Sequence, residues 1–310
     1  GLSTKLGLAL WADCRDALAS LDEPISLLLT SPPYALSKPR AYGNPHASEY
    51  VDFICSLIEP AMPRLARGAS IVLNVSSDIF LKGLPARDLL VERLTIALRD
   101  RFGLYKMDQL IWHAPNKAPA PVQWASLRRT QLNTAWEPIL WMALDPLHTF
   151  ADNRRVLQPH SERHARLIAR GGESRAGRYT DGRYSIREGS FGNPTAGRIP
   201  RNVLTFSTTC AGQRAYKREA KSLGLPAHGA PWPESLVDFL IRYLTTEGML
   251  VADICAGSLT TPAVCERLNR RWFATELMAE YIRGGASRFP EAWINPDIDR
   301  LLFGVENPSA

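Results

Sequence analysis

Residues 24–34 read PISLLLTSPPY, an apolar run that ends in two consecutive prolines. The uncharged run from Pro24 to Thr30 predicts a strand that is buried within a parallel sheet. The two prolines fix two φ angles and remove two backbone N–H donors, which leaves a stiff turn with free carbonyl groups. Such a turn would present the Ser31 hydroxyl, the Pro32 carbonyl and the Tyr34 ring, which together can hold a planar ring that carries an amino group. A plain proline turn is the alternative.

The rest of the chain alternates predicted strands with predicted helices. Apolar runs and amphipathic spacing predict strands at 69–75, 107–113, 137–144, 249–254 and 271–275, and helices at 49–65, 84–101, 233–244, 261–269 and 277–288. This alternation is typical of an α/β fold in which helices cover a parallel sheet. Ligands of such sheets bind beyond the carboxyl ends of the strands, so functional residues are expected directly after each strand.

A second strand end, residues 251–261, reads VADICAGSLTT and predicts a strand, a tight glycine-containing turn and a helix. The amide groups of such a turn can bind a ligand at the start of the helix. Glu276 lies 23 residues after Asp253, a spacing at which an acid commonly binds ribose hydroxyls. The pattern G-x-G-x-x-G is missing from the sequence, so a redox dinucleotide site is poorly supported. A purely structural turn is the alternative.

The positive charge of the chain is concentrated in its middle. The 310 residues carry a formal net charge of +6, and residues 150–200 contain ten arginines but only five acidic residues. Residues 201–221 add five basic residues and one acid. Arginine-rich surfaces displace counterions from phosphates, so we expect a polyanion as the partner of this segment. The alternative is a solvated basic loop.

Composition disfavours several other classes of protein. The fractions of hydrophobic residues, 45%, and charged residues, 22%, are ordinary for a globular chain and exclude wholesale disorder. The five cysteines include no C-x-x-C pair, and the six histidines have no metal-ligand spacing, so we expect reduced thiols and no metal. No apolar run approaches the ~20 residues of a membrane span. We therefore expect a cytoplasmic protein without a membrane partner.

Together, the two strand-end motifs resemble those of the beta-class DNA amino-methyltransferases, which use S-adenosylmethionine and carry their catalytic motif first. The family writes that motif as S/D/N-P-P-Y/F, and TSPPY at 30–34 matches it. The family's cofactor loop, D-P-F-x-G-S-G-T-T, resembles residues 253–261. Shorter similarities lie at 12–18 and 228–236. The resemblance therefore covers nearly the whole chain outside 150–200.

Three residues of the cofactor loop depart from the family's pattern. Ile254 and Cys255 replace Pro-Phe, and Leu259 replaces the second glycine. In the family the phenylalanine packs over the adenine ring, so another residue of this chain is expected to cover it. Leu259 is expected to alter how closely the backbone of the turn approaches the cofactor.

The resemblance implies a Rossmann-like methyltransferase fold with a circularly permuted motif order and a basic target-recognition insert. Residues 1–149 would form the catalytic half, 150–221 the target-recognition region and 222–310 the cofactor-binding half. The implied activity is site-specific transfer of a methyl group from S-adenosyl-L-methionine to the exocyclic amino nitrogen of a flipped cytosine or adenine in double-stranded DNA. A homodimer is a possible assembly.

The resemblance also assigns roles to individual residues. The catalytic residues would be Ser31, Pro32, Pro33 and Tyr34, with the tyrosine stacked on the flipped base and the serine hydroxyl and Pro32 carbonyl accepting from its amino group. The residues that would bind the cofactor are Asp13, His228, Asp253, Ile254, Cys255, Ala256, Gly257, Ser258, Thr260, Thr261 and Glu276. Positive charge, and not the resemblance, predicts the DNA-binding residues: Lys38 and Arg40 in the loop after TSPPY, for which an ordinary exposed loop is the alternative, and Arg154, Arg155, Arg178, Arg183, Arg187 and Arg198 in the basic segment.

Several alternatives stay open at this point. A serine at the first position of the catalytic motif is commoner among cytosine-N4 enzymes, which favours cytosine slightly over adenine. An RNA or protein amino-methyltransferase and a non-catalytic DNA-binding module are the rival functions. In the family, the region that lines the base pocket corresponds here to Asn116 and Lys117, Arg128 and Arg129, and residues 136–138, to which the sequence assigns no individual roles.

Overall fold

The computed structural model describes residues 1–35, 43–179 and 182–304. They form two compact units, one of residues 152–201 and one of the chain before and after that segment. The strands are β1 (Leu2–Ser3), β2 (Gly7–Trp11), β3 (Ile25–Thr30), β4 (Leu65–Asn74), β5 (Tyr105–His113), β6 (Trp136–Ala143), β7 (Gly177–Tyr179), β8 (Tyr184–Ile186), β9 (Val203–Thr205), β10 (Leu250–Asp253), β11 (Arg271–Glu276) and β12 (Trp293–Ile294). The helices are α1 (Cys14–Ala19), α2 (Tyr50–Ile58), α3 (Leu90–Phe102), α4 (Glu162–Ala169), α5 (Ala211–Ser222), α6 (Glu234–Leu244), α7 (Thr260–Arg267), α8 (Ala279–Gly285) and α9 (Pro296–Phe303).

The larger unit is built on a ten-stranded sheet in the order β12-β1-β2-β11-β10-β3-β4-β6-β5-β9. Its centre, from β2 through β11, β10 and β3 to β4, is parallel. Strand β6 runs antiparallel to both of its neighbours, β4 and β5. The predicted α/β architecture with a largely parallel sheet is therefore confirmed.

Strand β3 lies near the middle of the sheet and is buried on both of its faces. Leu27 and Leu29 pack in one core cluster with α6 and α7. Leu28, which points the opposite way, packs in a second cluster with α2 and α3. An uninterrupted apolar run suits such a position because neither face of the strand meets water.

Strands β3 and β10 are hydrogen-bonded neighbours although they are far apart in the chain. Val251 pairs with Leu27, and Ala252 pairs with Leu28, in parallel register. Parallel neighbours end at the same edge of the sheet. The TSPPY turn and the cofactor-loop turn therefore begin side by side.

The smaller unit, residues 152–201, contains α4 and the antiparallel hairpin of β7 and β8. A bridge between Gln158 and Arg198 joins its two ends. The unit is narrower than the predicted region 150–221. Residues 202–221 contribute β9 and most of α5 to the larger unit, because β9 pairs in parallel with β5 at the edge of the main sheet.

Within the described ranges, no helix is both long and apolar enough to cross a bilayer. The same residues contain no group of three or more histidine, cysteine, aspartate or glutamate side chains that could hold a metal ion.

Candidate active site

A cavity of about 600 Å³ opens at the carboxyl edge of the parallel strands, and both sequence motifs line it. The residues after β3 form one part of its wall, and the residues after β10 and β11 form another. Nine residues that the sequence singled out lie on this lining: Asp13, Ser31, Pro32, Pro33, Tyr34, His228, Ile254, Cys255 and Glu276. The two turns therefore meet in one pocket, because their strands are neighbours in the sheet.

The Tyr34 ring is fixed by its hydroxyl group. That hydroxyl lies 2.9 Å from both Asn74 Oδ1 and Glu137 Oε2, two acceptors that share its single proton. Burial, and after it the nearby Glu137 carboxylate, raises the pKa of Tyr34 well above its ordinary value. The phenol therefore stays protonated and acts as a donor to these two acceptors.

Asn74, at the end of β4, links the serine of the motif to the same network. Ser31 Oγ lies 3.4 Å from Asn74 Oδ1 and can donate its proton to it. Asn74 Nδ2 in turn donates to Glu137 Oε2 at 3.3 Å. This second bond fixes the orientation of the amide, so that its oxygen faces Ser31 and Tyr34.

Glu137 is balanced by a cation. Lys117 Nζ lies 2.8 Å from Glu137 Oε1, and each side chain is only 18% exposed. Burying a carboxylate costs free energy, which a nearby cation partly offsets. Lys117 also lies 3.8 Å from Asp78, which pairs with Arg87 at 2.6 Å. The sequence placed Lys117 and Glu137 near the base pocket without roles, and it did not single out Asn74.

Asp253 joins the two motifs below the cavity. Thr30 Oγ1, at the end of β3, donates to Asp253 Oδ1 at 2.8 Å, and the Cys255 amide donates to the same oxygen at 3.2 Å. Asp253 is fully buried, and this burial raises the pKa of its carboxyl group to about 6. The structure thus places Asp253 beneath the pocket lining, where it connects the strand ends.

Glu276 lies at the end of β11 and borders the cavity with a largely buried carboxylate. Gly257 N donates to Glu276 Oε2 at 2.7 Å, and Met278 N donates to Oε1 at 2.9 Å. Burial raises the pKa of Glu276, while these amide bonds act against that rise. Each oxygen keeps a lone pair with which it can accept from a ligand hydroxyl.

The remaining predicted loop residues support the pocket from behind. They are buried and lie outside the cavity lining: Ala256, Gly257, Ser258, Thr260 and Thr261. Gly257 adopts a left-handed conformation with φ of +49°, and a β-carbon there would lie 3.2 Å from His228 Nε2. The His228 ring therefore covers the Gly257 backbone, and it also meets the Tyr281 ring edge-on at 5.0 Å.

Leu259, which stands where the related family has a glycine, adopts the conformation that glycine favours. Its φ is +58°, and it precedes the first residue of α7. Its side chain is fully buried, and a β-carbon on Gly285 of α8 would lie 3.1 Å from Leu259 Cγ. The turn thus keeps its left-handed backbone while the leucine fills space beside α8.

Other side chains on the lining were not anticipated individually. Phe53 and Leu57 of α2, together with Leu277 and Tyr281, provide apolar and aromatic surface. They share the cavity lining with Cys255, at whose position the family has a phenylalanine. These residues lie on helices and after a strand, and no motif in the sequence marks them as part of a binding site.

Asp13 lies on the rim and forms the N-cap of α1. Its carboxylate accepts from Arg15 N and Arg15 Nε, each at 2.9 Å. The side-chain bond to Arg15 is the main cause that lowers the pKa of Asp13. The Asp13 carboxylate thus orders the start of α1 while it borders the cavity, and Arg15 also lies on the lining.

The predicted DNA-binding residues fall in two places. Lys38 and Arg40 lie outside the described residues. In the smaller unit, Arg155 is half-buried and five other arginines are exposed: Arg154, Arg178, Arg183, Arg187 and Arg198. Arg154 pairs with Asp152 at 2.7 Å. These exposed guanidinium groups are compatible with phosphate binding.

Comparison with known proteins identifies the family. The profile of the N6/N4 DNA methylase family matches residues 25–287. The type II methyltransferase M.PvuII of Proteus hauseri is 33% identical over 308 residues, which cover 97% of this chain and 90% of that protein. The type II methyltransferase M.BglII of Bacillus subtilis is 21% identical over 262 residues, which cover 84% of this chain and 62% of that protein.

Solved structures agree with the sequence relatives. The PvuII DNA methyltransferase, described as cytosine-N4-specific, superposes with a TM-score of 0.74 and 29% identity over 98% of this chain and 95% of its own. The M1.HpyAVI–SAM complex has a TM-score of 0.54 at 13% identity over 92% of this chain and 99% of its own, which shows the shared fold. The chain belongs to the N6/N4 DNA methylase family. It has the Rossmann-like methyltransferase fold and is an S-adenosylmethionine-dependent DNA amino-methyltransferase.

The residues of the cavity fit S-adenosylmethionine. Glu276 offers carboxylate oxygens that can accept from the two hydroxyls of a ribose. Phe53, Leu57 and Ile254 provide apolar surface for a purine ring. The pocket continues from this half to the TSPPY turn, so one cavity has room for a cofactor and an acceptor base.

Proposed function

We propose that the protein methylates the exocyclic N4 nitrogen of a cytosine that is flipped out of double-stranded DNA. The observation that carries this proposal is the single cavity lined by both Ser31 to Tyr34 and the cofactor loop. The choice of cytosine rests on Ser31 at the first position of the motif and on the likeness to a relative described as cytosine-N4-specific. N6-adenine methylation is the competing outcome.

Ser31 and Pro32 would prepare the acceptor nitrogen. The Ser31 proton is directed toward Asn74 Oδ1, which leaves the lone pairs of Ser31 Oγ for the amino group of the base. The Pro32 carbonyl, whose neighbour Pro33 has no N–H, supplies a second acceptor. Two such bonds draw the nitrogen lone pair out of conjugation with the ring, so that it becomes nucleophilic. When bound, S-adenosylmethionine supplies the electrophilic methyl group.

Tyr34 would hold the flipped base by stacking. Its ring cannot turn freely because Asn74 and Glu137 hold the hydroxyl. Flipping a base costs a few kcal/mol of stacking and pairing energy, which a fixed aromatic surface partly offsets. Methyl transfer from a reactive donor then depends mainly on position.

On the cofactor side, Glu276 would accept from the ribose hydroxyls, while Phe53 and Leu57 would cover the adenine in place of the missing phenylalanine. Ile254 and Cys255 would form the adjoining wall. Asp253, Ala256, Gly257, Ser258, Thr260 and Thr261 would act by shaping the turn. Asp13 and His228 would border the same half of the pocket.

DNA recognition would rest on the basic region 150–221, and DNA binding by Lys38 and Arg40 stays a prediction. The exposed arginines would bind phosphates, which adds affinity, and guanine edges, which gives the enzyme its site specificity. We further propose that the enzyme acts on DNA in the cytoplasm, that it needs no metal, and that it can pair as a homodimer.

The test is methylation of unmodified bacterial DNA with methyl-labelled S-adenosylmethionine, followed by mass spectrometry of the nucleosides and sequencing of the modified sites. We expect N4-methylcytosine at one short recognition sequence. N6-methyladenine would contradict the choice of base. Preferential labelling of RNA in a competition with duplex DNA would contradict the substrate class.

A further inference from the structure

Residues 120–134 form a closed loop between β5 and β6. Thr134 N donates to Ala120 O at 2.7 Å, and next to this bond Ala114 N donates to Ala135 O at 2.8 Å. The loop therefore leaves the sheet and returns to it at one point. We refer to residues 120–134 as the rim loop.

The rim loop is ordered by its own backbone. Ala125 N donates to Pro121 O, and Thr130 N donates to Trp124 O, each at 2.8 Å. Residues 122–127 form a short π-helical turn. A loop with this many internal bonds presents its side chains in fixed positions, which is typical of binding loops on a rigid scaffold.

The side chains that the rim loop presents are both apolar and basic. Leu132 is 87% exposed and Leu127 is 69% exposed. Between them lie Arg128 and Arg129, both exposed, and residues 120–134 contain no acidic residue. Arg129 has φ of +58°, a conformation that non-glycine residues adopt at some cost and that often marks a functional site.

Hydrogen bonds link the chain at both ends of the rim loop to residues at or next to the cavity. Before it, Lys117 Nζ lies 2.8 Å from the Glu137 carboxylate, which lines the cavity and holds Tyr34. At its end, Thr134 Oγ1 donates to Asp78 Oδ1 at 2.7 Å. Asp78 N in turn donates to Ser76 Oγ, and Ser76 lines the cavity. The loop that carries the exposed leucines and arginines therefore begins and ends close to the pocket that would receive the flipped base.

We propose that the rim loop enters the DNA duplex where the target base has left it. Leu127 and Leu132 occupy the space between the neighbouring base pairs, as apolar wedges do in other DNA complexes, and Arg128 and Arg129 bind the flanking phosphates. An inserted side chain stabilises the flipped state because it replaces part of the lost stacking. This inference rests on the proposed function, since it requires a base that leaves the helix.

The experiment compares wild-type enzyme with the double variant Leu127→Ala/Leu132→Ala on two synthetic duplexes. Both carry the recognition sequence found by sequencing, one with the target base correctly paired and one with it mismatched. We expect the variant to methylate the paired duplex about tenfold more slowly and the mismatched duplex at nearly the wild-type rate, because a mismatched base is easier to flip. Replacing Leu301, another exposed leucine, by alanine provides the matched control.

The outcomes distinguish the proposed insertion of Leu127 and Leu132, here called the wedge, from methyltransferase activity itself. Equal losses on both duplexes, or no loss on the paired one, would overturn the wedge while leaving the methyltransferase activity intact. A wild-type enzyme that labels neither duplex would overturn the proposed function and this inference together. Both leucines lie on the surface, so the variant is expected to fold. Calorimetry with S-adenosylmethionine checks this, because only a folded protein binds the cofactor.

Replacement of the two arginines gives an independent readout. Arg128→Gln/Arg129→Gln is expected to reduce the slope of log affinity against log salt by about two, because two phosphates are no longer neutralised. An unchanged slope would overturn the proposed binding of these arginines to the flanking phosphates.

Discussion

At the scale of single residues, the Glu137 carboxylate organises the base side of the pocket, since it accepts from Lys117, Tyr34 and Asn74. Glu137→Gln removes the charge and points an amide N–H toward one of these donors. We expect methyl transfer to slow by at least tenfold and the free energy of unfolding to fall by about 1–2 kcal/mol, measured by kinetics and urea denaturation.

The ion pair itself can be isolated with a double-mutant cycle. Lys117→Met alone leaves Glu137 without its cation, whereas Glu137→Gln/Lys117→Met removes both charges. The double variant should be less destabilised than the sum of the two single variants. Strict additivity would show that the two charges do not stabilise each other.

Two substitutions of Tyr34 separate the effect of ring stacking from the effect of the hydrogen bonds of its hydroxyl group. Tyr34→Phe keeps the ring but loses both hydrogen bonds of the hydroxyl, and Tyr34→Ala loses the ring as well. We expect the rate of methyl transfer to fall moderately in the first variant and by a further factor of about ten in the second. Calorimetry should give unchanged cofactor affinity in both, and its abolition in Tyr34→Ala would refute the assigned role.

Asp253 makes stability depend on pH. Burial raises the pKa of its carboxyl group to about 6 from an ordinary value of 3.8, so the folded protein holds this proton more tightly than the unfolded chain does. The stability from this group is complete below pH 3.8 and is lost as the pH rises past 6, which amounts to about 3 kcal/mol.

Asp253→Asn tests this assignment. Asparagine keeps an oxygen that can accept from Thr30 Oγ1 and Cys255 N but does not titrate. Urea denaturation at pH 4, 5, 6 and 7 should therefore give a smaller decline in unfolding free energy than the wild type shows. Parallel declines in the two proteins would assign the pH dependence to other groups.

At the scale of elements, Leu259 at the start of α7 affects stability in two opposite ways. Its left-handed backbone is strained, whereas its buried side chain stabilises the fold. Leu259→Gly relieves a left-handed conformation that costs roughly 1–2 kcal/mol but deletes a fully buried leucine that contributes about 2–5 kcal/mol. We expect a net loss of stability of about 1–3 kcal/mol in thermal unfolding. A more stable variant would show that strain is the larger effect at this turn.

Elements with strong patterns could be predicted from the sequence. Strand β3 and helix α6 were found within one residue of their predicted bounds, because uninterrupted apolar runs and an amphipathic repeat specify them. Helix α5 was missed because its buried face consists of Gln213, Tyr216 and Ala220, a weakly apolar set. Strands β1 and β12 have two residues each, too few to give a periodic signal.

The sequence indicated the parts of the site that follow predicted strands or match the motifs of the family. The TSPPY turn and Glu276 lie at strand ends, where the α/β pattern predicts function. Asn74, Lys117 and Glu137 come together only through the pairing of β4, β5 and β6. No sequence spacing reports such a meeting, since it depends on the order of strands in the sheet.

At the scale of the whole molecule, the basic segment in the middle of the chain forms a unit of its own over residues 152–201. If its arginines bind phosphates, Arg178→Gln/Arg183→Gln/Arg187→Gln should weaken DNA binding and reduce the salt slope by about one for each phosphate that is no longer neutralised. Fluorescence anisotropy with a labelled duplex measures both quantities.

A control with the same change in charge replaces three exposed arginines of the larger unit: Arg99, Arg101 and Arg300. It should leave the salt slope unchanged, because DNA recognition is assigned to residues 150–221, whereas these side chains lie on α3 and α9. Equal effects of the two triple variants would mean that the affinity for DNA depends only on the total charge of the protein.

The bond between Thr30 and Asp253 has a consequence for how the enzyme can diversify. It ties the strand end that leads to the TSPPY turn to the strand end that leads to the cofactor loop, so we expect a shift of one strand end to be transmitted to the other. We therefore expect a substitution that moves one strand end to need a compensating substitution at the other, so that the acceptor nitrogen stays aligned with the methyl carbon. New specificity is therefore easier to evolve in the separate arginine-rich unit than in the pocket itself.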